Sequence, residues 1–290
     1  MKTTQTRKPD WLKVRFPAGP KFARINGYHR EQGLHSVCRS AACPNQGDCW
    51  SRGTATFMIL GNQCTRDCRF CNVQHAEPAE PDVAEVDKIA KAVTELELAH
   101  AVITAVTRDD LVDGGASMFA AVVMAIRKRR PQCRIELLVP DLRGDQRALE
   151  TILNARPDVL GHNMETVPRL YSMVRPGAEY RRSLTLLSNS KKGSPHIPTK
   201  SGLMLGMGET FDEVLAVMDD LRSVDCTMLT LGQYLQPTRK HWPVDRYVPP
   251  DEFDRLKEAG RQRGFKHVES GPLVRSSFHA AEQFEESAHD

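Results

Sequence analysis

The sequence predicts an α/β protein built on a parallel sheet with helices outside it. Three observations carry the prediction. Short apolar, β-branched runs alternate with amphipathic runs of helical period, six or so times in succession. Capping residues, glycines and prolines fall between the runs. The chain has 290 residues, 40% of them hydrophobic, which is enough to bury the core such a sheet requires.

Residues 1 to about 53 show little periodicity and hold Pro17, Pro20 and Pro44, so they read as loop with short helices. From Thr54 the pattern changes. "TATFMIL" is β-branched and apolar, as a buried strand should be. "DVAEVDKIAKAVTELEL" follows, with Val83, Val86, Ile89, Ala90 and Val93 at helical spacing and Asp82 and Glu85 as a capping pair. "HAVITAV" is the next strand. "ASMFAAVVMAIRKRR" is a helix with cations in its last turn, ended by Pro131. "RIELLVP" is a strand, "DQRALETILNA" a helix and "DVLGHN" a short strand. "ETVPRLYSMV" and "YRRSLTLLSNSKK" are helical. "IPTKSGLMLG" is a strand, and "ETFDEVLAVMDDLRS" a helix with Thr210 and Glu213 as a second capping pair. "TMLTLGQYL" is a strand, and "PPDEFDRLKEAGRQRG" a helix opened by prolines. No longer repeat or low-complexity linker interrupts the series. A doubly wound sheet and a barrel, complete or not, both fit this order. In either, function gathers at the C-terminal ends of the strands.

A net charge of +3 gives no reason to expect nucleic-acid binding. Charge is uneven, however. The first thirty residues carry eight basic side chains against one acid, Asp10, and the closing "HAAEQFEESAHD" is mostly acidic. Such runs are usually solvated ends; the sharper reading is a basic arm that docks an acidic protein. No secretory signal is visible at the start, and no apolar stretch is long enough to span a membrane. Both predict a cytoplasmic protein, where thiols stay reduced. Oligomeric state leaves no mark, and a monomer is the default.

Clustered cysteines in that setting mean metal or redox chemistry rather than disulfides. Six of the eight fall in two sets, Cys38, Cys43, Cys49 and Cys64, Cys68, Cys71. Cys133 and Cys226 stand alone among apolar neighbours and read as small core residues. Cys64, Cys68 and Cys71, in "CTRDCRFC", lie just beyond the first strand. Structural zinc takes four closed ligands. Here no fourth Cys or His follows at finger spacing, His75 being nearest. A 4Fe–4S cube bound by three thiolates keeps one iron open to a reactive ligand. "TRDDLVDGG", with Gly114 and Gly115, follows the second strand, where glycine lets backbone approach a ligand or simply turns the chain. "HNMET", residues 162–166, and "TKSG", residues 199–202, are placed at other strand ends. "GLMLGMGET" lacks the Lys-Ser/Thr of a phosphate loop.

"CTRDCRFC" resembles the signature loop of the radical SAM superfamily. The resemblance implies a partial (β/α)6 barrel of TIM type, in accord with the count of βα units. It also implies S-adenosylmethionine chelated at the open iron, and a 5′-deoxyadenosyl radical able to take hydrogen from unactivated C–H bonds. Phe70 then sits beside the adenine, and Gly114 and Gly115 face the methionine end. Asn163, Lys200 and Ser201 are the further cofactor contacts on this view.

The second set, "CRSAACPNQGDCW", resembles the lipoyl synthase family within that superfamily. So do "KPDWLK", "RDDLVDGGA", "NMETVPRLY", "RSLTLL", "TKSGLMLGMGET", "QYLQPTRKHWPVDRYVPPDEF" and "GPLVRSS". The match runs from about Lys8 to His279. It implies sulfur insertion at carbons 6 and 8 of an octanoyl chain held on a lysine of a lipoyl carrier domain. The carrier is a 2-oxoacid dehydrogenase acyltransferase subunit or the glycine cleavage H protein, and an electron donor is needed. It also implies a second 4Fe–4S cluster on Cys38, Cys43 and Cys49 that gives up sulfur, its fourth iron held by Ser277, with Ser276 as the second candidate. An oxygen donor suits that site poorly, so this iron should leave first. The division expected is an N-terminal extension at 1–53 carrying the auxiliary cysteines, a barrel core at 54–270, and a C-terminal tail at 271–290 carrying the serine. The other readings are radical sulfuration of a different substrate, and a non-catalytic iron–sulfur or zinc protein. The sequence departs from the family's habit at Phe278, usually Tyr, at Gly161, often Asn, and at Arg39 and Ser40, commonly acidic.

Overall fold

Seven strands, all parallel, follow one another across a single sheet in the order in which they occur in the chain. They are β1 (Ala55–Ile59), β2 (His100–Ala105), β3 (Arg134–Leu138), β4 (Val159–Gly161), β5 (Thr199–Leu205), β6 (Met228–Gln233) and β7 (His267–Gly271). The computed structural model describes residues 7–13, 19–40, 43–51 and 54–288, with side chains to residue 284. Six of the strands are those the alternation predicts. The seventh, "HVESG", was missed because it carries one aliphatic side chain, Val268, and no run of β-branched residues.

Each strand buries two different faces. Phe57 and Ile59, Ala101 and Ile103, and Ile135 and Leu137 belong to one core with the helices that follow them. Leu203, Leu205, Leu229, Leu231 and Val268 belong to a second core at the other end of the sheet. The residues between them in sequence point the other way, and many are polar: Thr56, His100, Thr104, Glu136, Lys200 and Thr230 are all buried. A sheet with an apolar outer face and a polar inner face is the wall of a barrel that encloses a site. No ladder joins β1 to β7, so the wall is open.

Helices cover the outer face: α4 (Ala84–Glu95), α5 (Ala116–Arg129), α6 (Gln146–Asn154), α7 (Pro168–Val174), α8 (Tyr180–Gly193), α9 (Phe211–Ser223) and α10 (Pro250–Gln262). The predicted capping pair at Thr210 is present in both directions: Glu213 N–H donates to Thr210 Oγ1 at 3.2 Å, and Thr210 N–H to Glu213 Oε2 at 2.8 Å. At Asp82 the expectation fails in part. Ala84 N–H does donate to Asp82 Oδ1 at 2.9 Å. Glu85, however, turns away from the helix and accepts from Leu60 N–H at 2.8 Å, satisfying the backbone at the end of β1. A tertiary donor wins over the local one because it would otherwise be buried without a partner.

Residues 20–51 are more helical than predicted. They form α1 (Pro20–Glu31) and two short helices, α2 (Val37–Ser40) and α3 (Gln46–Ser51). The buried face of α1 is marked by Ile25 and His29, an i, i+4 pair with only one apolar member, so periodicity did not reveal it. His29 lies between Trp50, with ring centroids 5.2 Å apart, and Phe57, at 5.3 Å. This stack joins the N-terminal helices to β1. Past β7 the chain ends in α11 (Ala280–Ala288), which packs against β2 and β7 across the open side. The basic run at 1–30 and the acidic run at 279–290 fall partly outside the described residues. No described helix is long and apolar enough to cross a membrane. Cys133 and Cys226 are fully buried, as expected of core residues.

Candidate metal and cofactor centre

The loop from β1 to α4 carries Cys64, Cys68 and Cys71. A two-residue parallel pairing of Gln63–Cys64 with Gln74–His75 closes it at its base. Backbone bonds pin the rest: Arg69 N–H to Val174 O at 2.9 Å, Trp242 N–H to Arg69 O at 2.7 Å, and Cys71 N–H to Cys68 O at 2.9 Å. His241 Nε2 lies 3.0 Å from Cys71 O. The end of α7 and the loop after β6 therefore hold a loop that follows β1.

Two of the sulfurs receive backbone N–H groups. Thr107 N–H points at Cys64 Sγ at 3.3 Å, with Arg66 N–H at 3.5 Å. Val73 N–H points at Cys71 Sγ at 3.4 Å. Such donors favour thiolate, as a metal centre requires. Burial opposes it, pushing the Cys68 thiol up to about 11 and the Cys71 thiol up to about 12. A cationic centre would act the other way, since its charge favours thiolate. His75 is not a fourth ligand to this set; its ring bonds to Cys64 O at 3.2 Å and is exposed.

Cys38 lies on α2, Cys49 on α3, and Cys43 on the turn between them. Cys38 and Cys49 are buried. The Cys38 thiol donates to Cys43, and Arg275 stands near, so Cys43 is brought down to about 6 while Cys38 is pushed up. The two thiol sets are neighbours: Asn72, next to Cys71, donates through Nδ2 to Ser40 O at 2.8 Å. Among the described residues, no three His, Cys, Asp or Glu side chains are arranged to hold a single metal ion. Cluster ligands attach to separate irons, and thiols are the donors such clusters take.

Four arginines, none of them singled out from the sequence, stand near the cysteines or their loops. Arg66, inside the cysteine loop, makes bidentate pairs with Asp109 at 2.6 and 2.8 Å and with Asp141 at 2.9 and 2.7 Å. Arg182 adds a bond to Asp141 at 2.8 Å. Arg175 is buried and donates through Nη1 to Asn163 O, Met164 O and Tyr171 Oη. Its Nε has no partner among the described residues, and the guanidinium is within electrostatic reach of Glu165 and Cys68. An orphaned buried guanidinium N–H near the cysteine loop fits an anionic ligand there. Arg275 is the fourth; it lies near both Cys43 and Glu165.

Glu165 thus stands between an arginine of each set. Its backbone has φ +67°, held by Glu165 N–H to Gly202 O and Met204 N–H to Glu165 O, both 2.9 Å. Glu165 shares a positive φ with seven other described non-glycine residues. Burial pushes its carboxyl up, against the pull of Arg175.

The residues expected around the cofactor are placed as follows. Phe70 is half-buried and packs on the second core. Asn163 lies just past β4 and donates to Glu165 Oε1 at 3.0 Å and Ser276 Oγ at 2.6 Å. Gly114 and Gly115 both have positive φ, +59° and +90°. The close approach at Gly115 is to the protein, since a Cβ there would lie 2.2 Å from Leu60 Cδ1. Asp113 caps α5 beside it, accepting from Gly115 and Ser117 N–H. Residues 199–202 are not beyond a strand but inside β5. Lys200, the second residue of β5, is 2% exposed and pairs with Glu136 at 2.9 Å. His100, the first residue of β2, is 3.5 Å from the same carboxylate. Burial would raise Glu136, but Lys200 and His100 hold it below the usual carboxylate range. This charge cluster faces the strand starts, away from the cysteine loop. Ser201 is fully buried and accepts from Met164 N–H at 3.2 Å.

Ser276 and Ser277 hang from the segment after β7. Ser277 Oγ accepts from Thr56 on the inner face of β1 at 3.1 Å. The same segment is clasped to the N-terminal extension, through Asn45 to Leu273 O and through His279 to Asp48 at 3.1 Å. Phe278 stacks on His279 at 3.8 Å between centroids. At Gly161 a Cβ would lie 3.3 Å from Leu137 O, so the Asn common elsewhere would crowd the wall here.

Residues 58–221 match the Radical SAM superfamily. The chain is 55% identical over 277 residues to a lipoyl synthase of Desulfotalea psychrophila, covering 96% of this chain and 93% of that one. It is 56% identical over 278 residues to a lipoyl synthase of Methylococcus capsulatus, covering 96% and 86%. Among solved structures it resembles Streptococcus suis SuiB bound to S-adenosylmethionine, with TM-score 0.61 at 10% identity. That alignment covers 76% of this chain and 51% of SuiB, so the chain spans about half the length of that neighbour. It also resembles methylornithine synthase (PylB), with TM-score 0.54 at 13% identity, covering 84% and 81%. At such identities these structures speak for the fold alone.

Proposed function

The chain belongs to the lipoyl synthase family of the radical SAM superfamily, and from that membership we propose that it inserts sulfur at carbons 6 and 8 of an octanoyl chain on a lipoyl carrier domain. The observation that carries the proposal is the pair of adjoining thiol triads, bridged by Asn72 and Ser40, at the mouth of one barrel. When bound, one 4Fe–4S cluster with S-adenosylmethionine supplies a radical that takes hydrogen from unactivated C–H bonds, and a second cluster supplies sulfur.

Cys64, Cys68 and Cys71 would hold the first cluster, and Cys38, Cys43 and Cys49 the second. Arg175, whose Nε has no partner among the described residues, would take an anionic group of the cofactor. Phe70 would face its adenine. Asn163 and Glu165 present polar groups from the end of β4 toward the same space. Ser277 would complete the second site, with Ser276 as the alternative. Thr56 donates to Ser277 Oγ, leaving lone-pair density on that oxygen for a metal. The arginines and the buried inner wall orient the substrate and keep water from the reacting carbons.

The substrate carriers of this reading are the acyltransferase subunit of a 2-oxoacid dehydrogenase and the glycine cleavage H protein, with a separate reducing electron donor. Mass spectrometry tests it. After anaerobic reconstitution, an octanoylated carrier peptide should gain two sulfurs and lose two hydrogens as the cyclic disulfide. Formation of deoxyadenosine with no change in peptide mass would refute the assignment and point to another sulfur acceptor.

A further inference from the structure

We infer that the cleft between α1 and α2 is the docking surface for an acidic segment of the octanoyl carrier, an inference that rests on the proposed reaction. The cleft has a volume of about 430 Å³ and is lined by Arg30, Gly33, His35, Ser36, Arg39 and Ser40, with buried His29 at its floor. Arg30 and Arg39 are exposed. Neither makes an ion pair with a described residue, unlike Arg66, Arg108, Arg127, Arg169, Arg246 and Arg263. No carboxylate lines the cleft.

The charge is concentrated as well as unpaired. Residues 20–40 hold Lys21, Arg24, Arg30 and Arg39 against Glu31 alone. That surplus of three equals the formal net charge of the whole chain, +3. The field is felt locally: besides burial, Arg39 and His35 help to hold His29 down at about 4. A concave patch of one sign raises the encounter rate with an oppositely charged partner.

Position selects the partner. One wall of the cleft is residues 36–40, the helix that carries Cys38, and Ser36 Oγ accepts from Cys38 N–H at 3.3 Å. Gly33, Leu34 and His35 also line a second cavity of about 240 Å³, which runs past Leu60 and Gly61 to Gln63, the neighbour of Cys64; Glu80, Asp82 and Glu85 line that cavity, so the basic surface is confined to the first cleft. An acidic protein seated at Arg30 and Arg39 thus lies against the segment that carries Cys38, with the second cavity between it and Gln63. On the proposed reaction the octanoyl chain must reach the cluster that Cys38, Cys43 and Cys49 would hold, whereas a reductant need only approach the other one. No large hydrophobic side chain is exposed in the cleft on which a nucleic-acid base would stack.

The test uses reconstituted holoenzyme, an intact octanoylated carrier domain and a short neutral octanoyl-lysine peptide. Charge reversal in Arg30→Glu/Arg39→Glu should raise Kd and KM for the carrier domain about tenfold or more. It should leave iron content, and kcat and KM for the neutral peptide, unchanged. Arg30→Lys/Arg39→Lys should retain carrier binding, and added salt should weaken the wild type more than the reversed variant. Unchanged carrier affinity overturns the inference. So does an equal loss with the neutral peptide, which would mean a disturbed cluster, or weakened retention of RNA alone. Slower reduction by a protein donor with carrier binding intact would reassign the cleft to the reductant. Kd is read without turnover. A wild type that binds the carrier but transfers no sulfur therefore counts against the proposed reaction, and a charge-insensitive Kd against the docking surface.

Discussion

Thr56 donates through Oγ1 to Ser277 Oγ at 3.1 Å, across 221 residues of sequence. The bond fixes the segment after the last strand to the inner face of the first. It sits on the open side of the barrel, where no strand ladder joins β1 to β7. The neighbouring Ser276 is held by Asn163 at 2.6 Å, so each serine has its own anchor on the wall.

Ser277→Cys should hold the second cluster more firmly, because a thiolate suits iron better than an alkoxide does. Cofactor cleavage should continue while sulfur transfer falls. Chelator-accessible iron and product mass, followed together, check this. Unchanged turnover would move the ligand to Ser276.

Cys68→Ala should leave about four irons per chain where the reconstituted wild type holds about eight. Deoxyadenosine should no longer form. Iron analysis and an assay for cofactor cleavage read the two effects separately, and full iron occupancy in the variant would exclude Cys68 as a ligand.

Gly115→Ala should destabilise the fold by about 1–3 kcal/mol. Its φ is +90°, and the new methyl would meet Leu60 at 2.2 Å. Urea unfolding of the variant, alone and combined with Leu60→Ala, measures how much of the loss is the clash. Identical losses in both backgrounds would assign it to backbone strain.

Stability should fall as pH drops from about 6.5 to about 4. Burial between Trp50 and Phe57 holds His29 down at about 4, so in this window the unfolded chain takes a proton that the folded chain refuses. The slope is at most about 1.4 kcal/mol per pH unit. Denaturant unfolding at pH 7 and pH 5 checks it. His29→Phe, which keeps a stacked ring, should show a shallower fall.

Where the sequence was legible, a local rule and the tertiary demand agreed. Thr210 and Glu213 cap each other as their spacing requires. Phe57 and Ile59 alternate with Thr56 and Met58, and the strand is there. Where it was not, a distant partner intervened. Glu85 left its helix for Leu60. His267–Gly271 became a strand through its ladder with β6 rather than through its own composition. Lys200 looked available in "TKSG" but is buried against Glu136, 64 residues away in the chain.

The sequence by itself determined the βα order, the six clustered thiols and the family, because these depend on residue type and short spacing. Only the tertiary structure decided that Arg175 and Arg275 flank Glu165, that Asn72 bridges the triads, and that Arg30 and Arg39 face an empty cleft. The reason is physical. A charge or hydrogen-bond donor is assigned its partner by the folding of separate strands and loops onto one barrel mouth, and nothing in the one-dimensional spacing records which of them will meet.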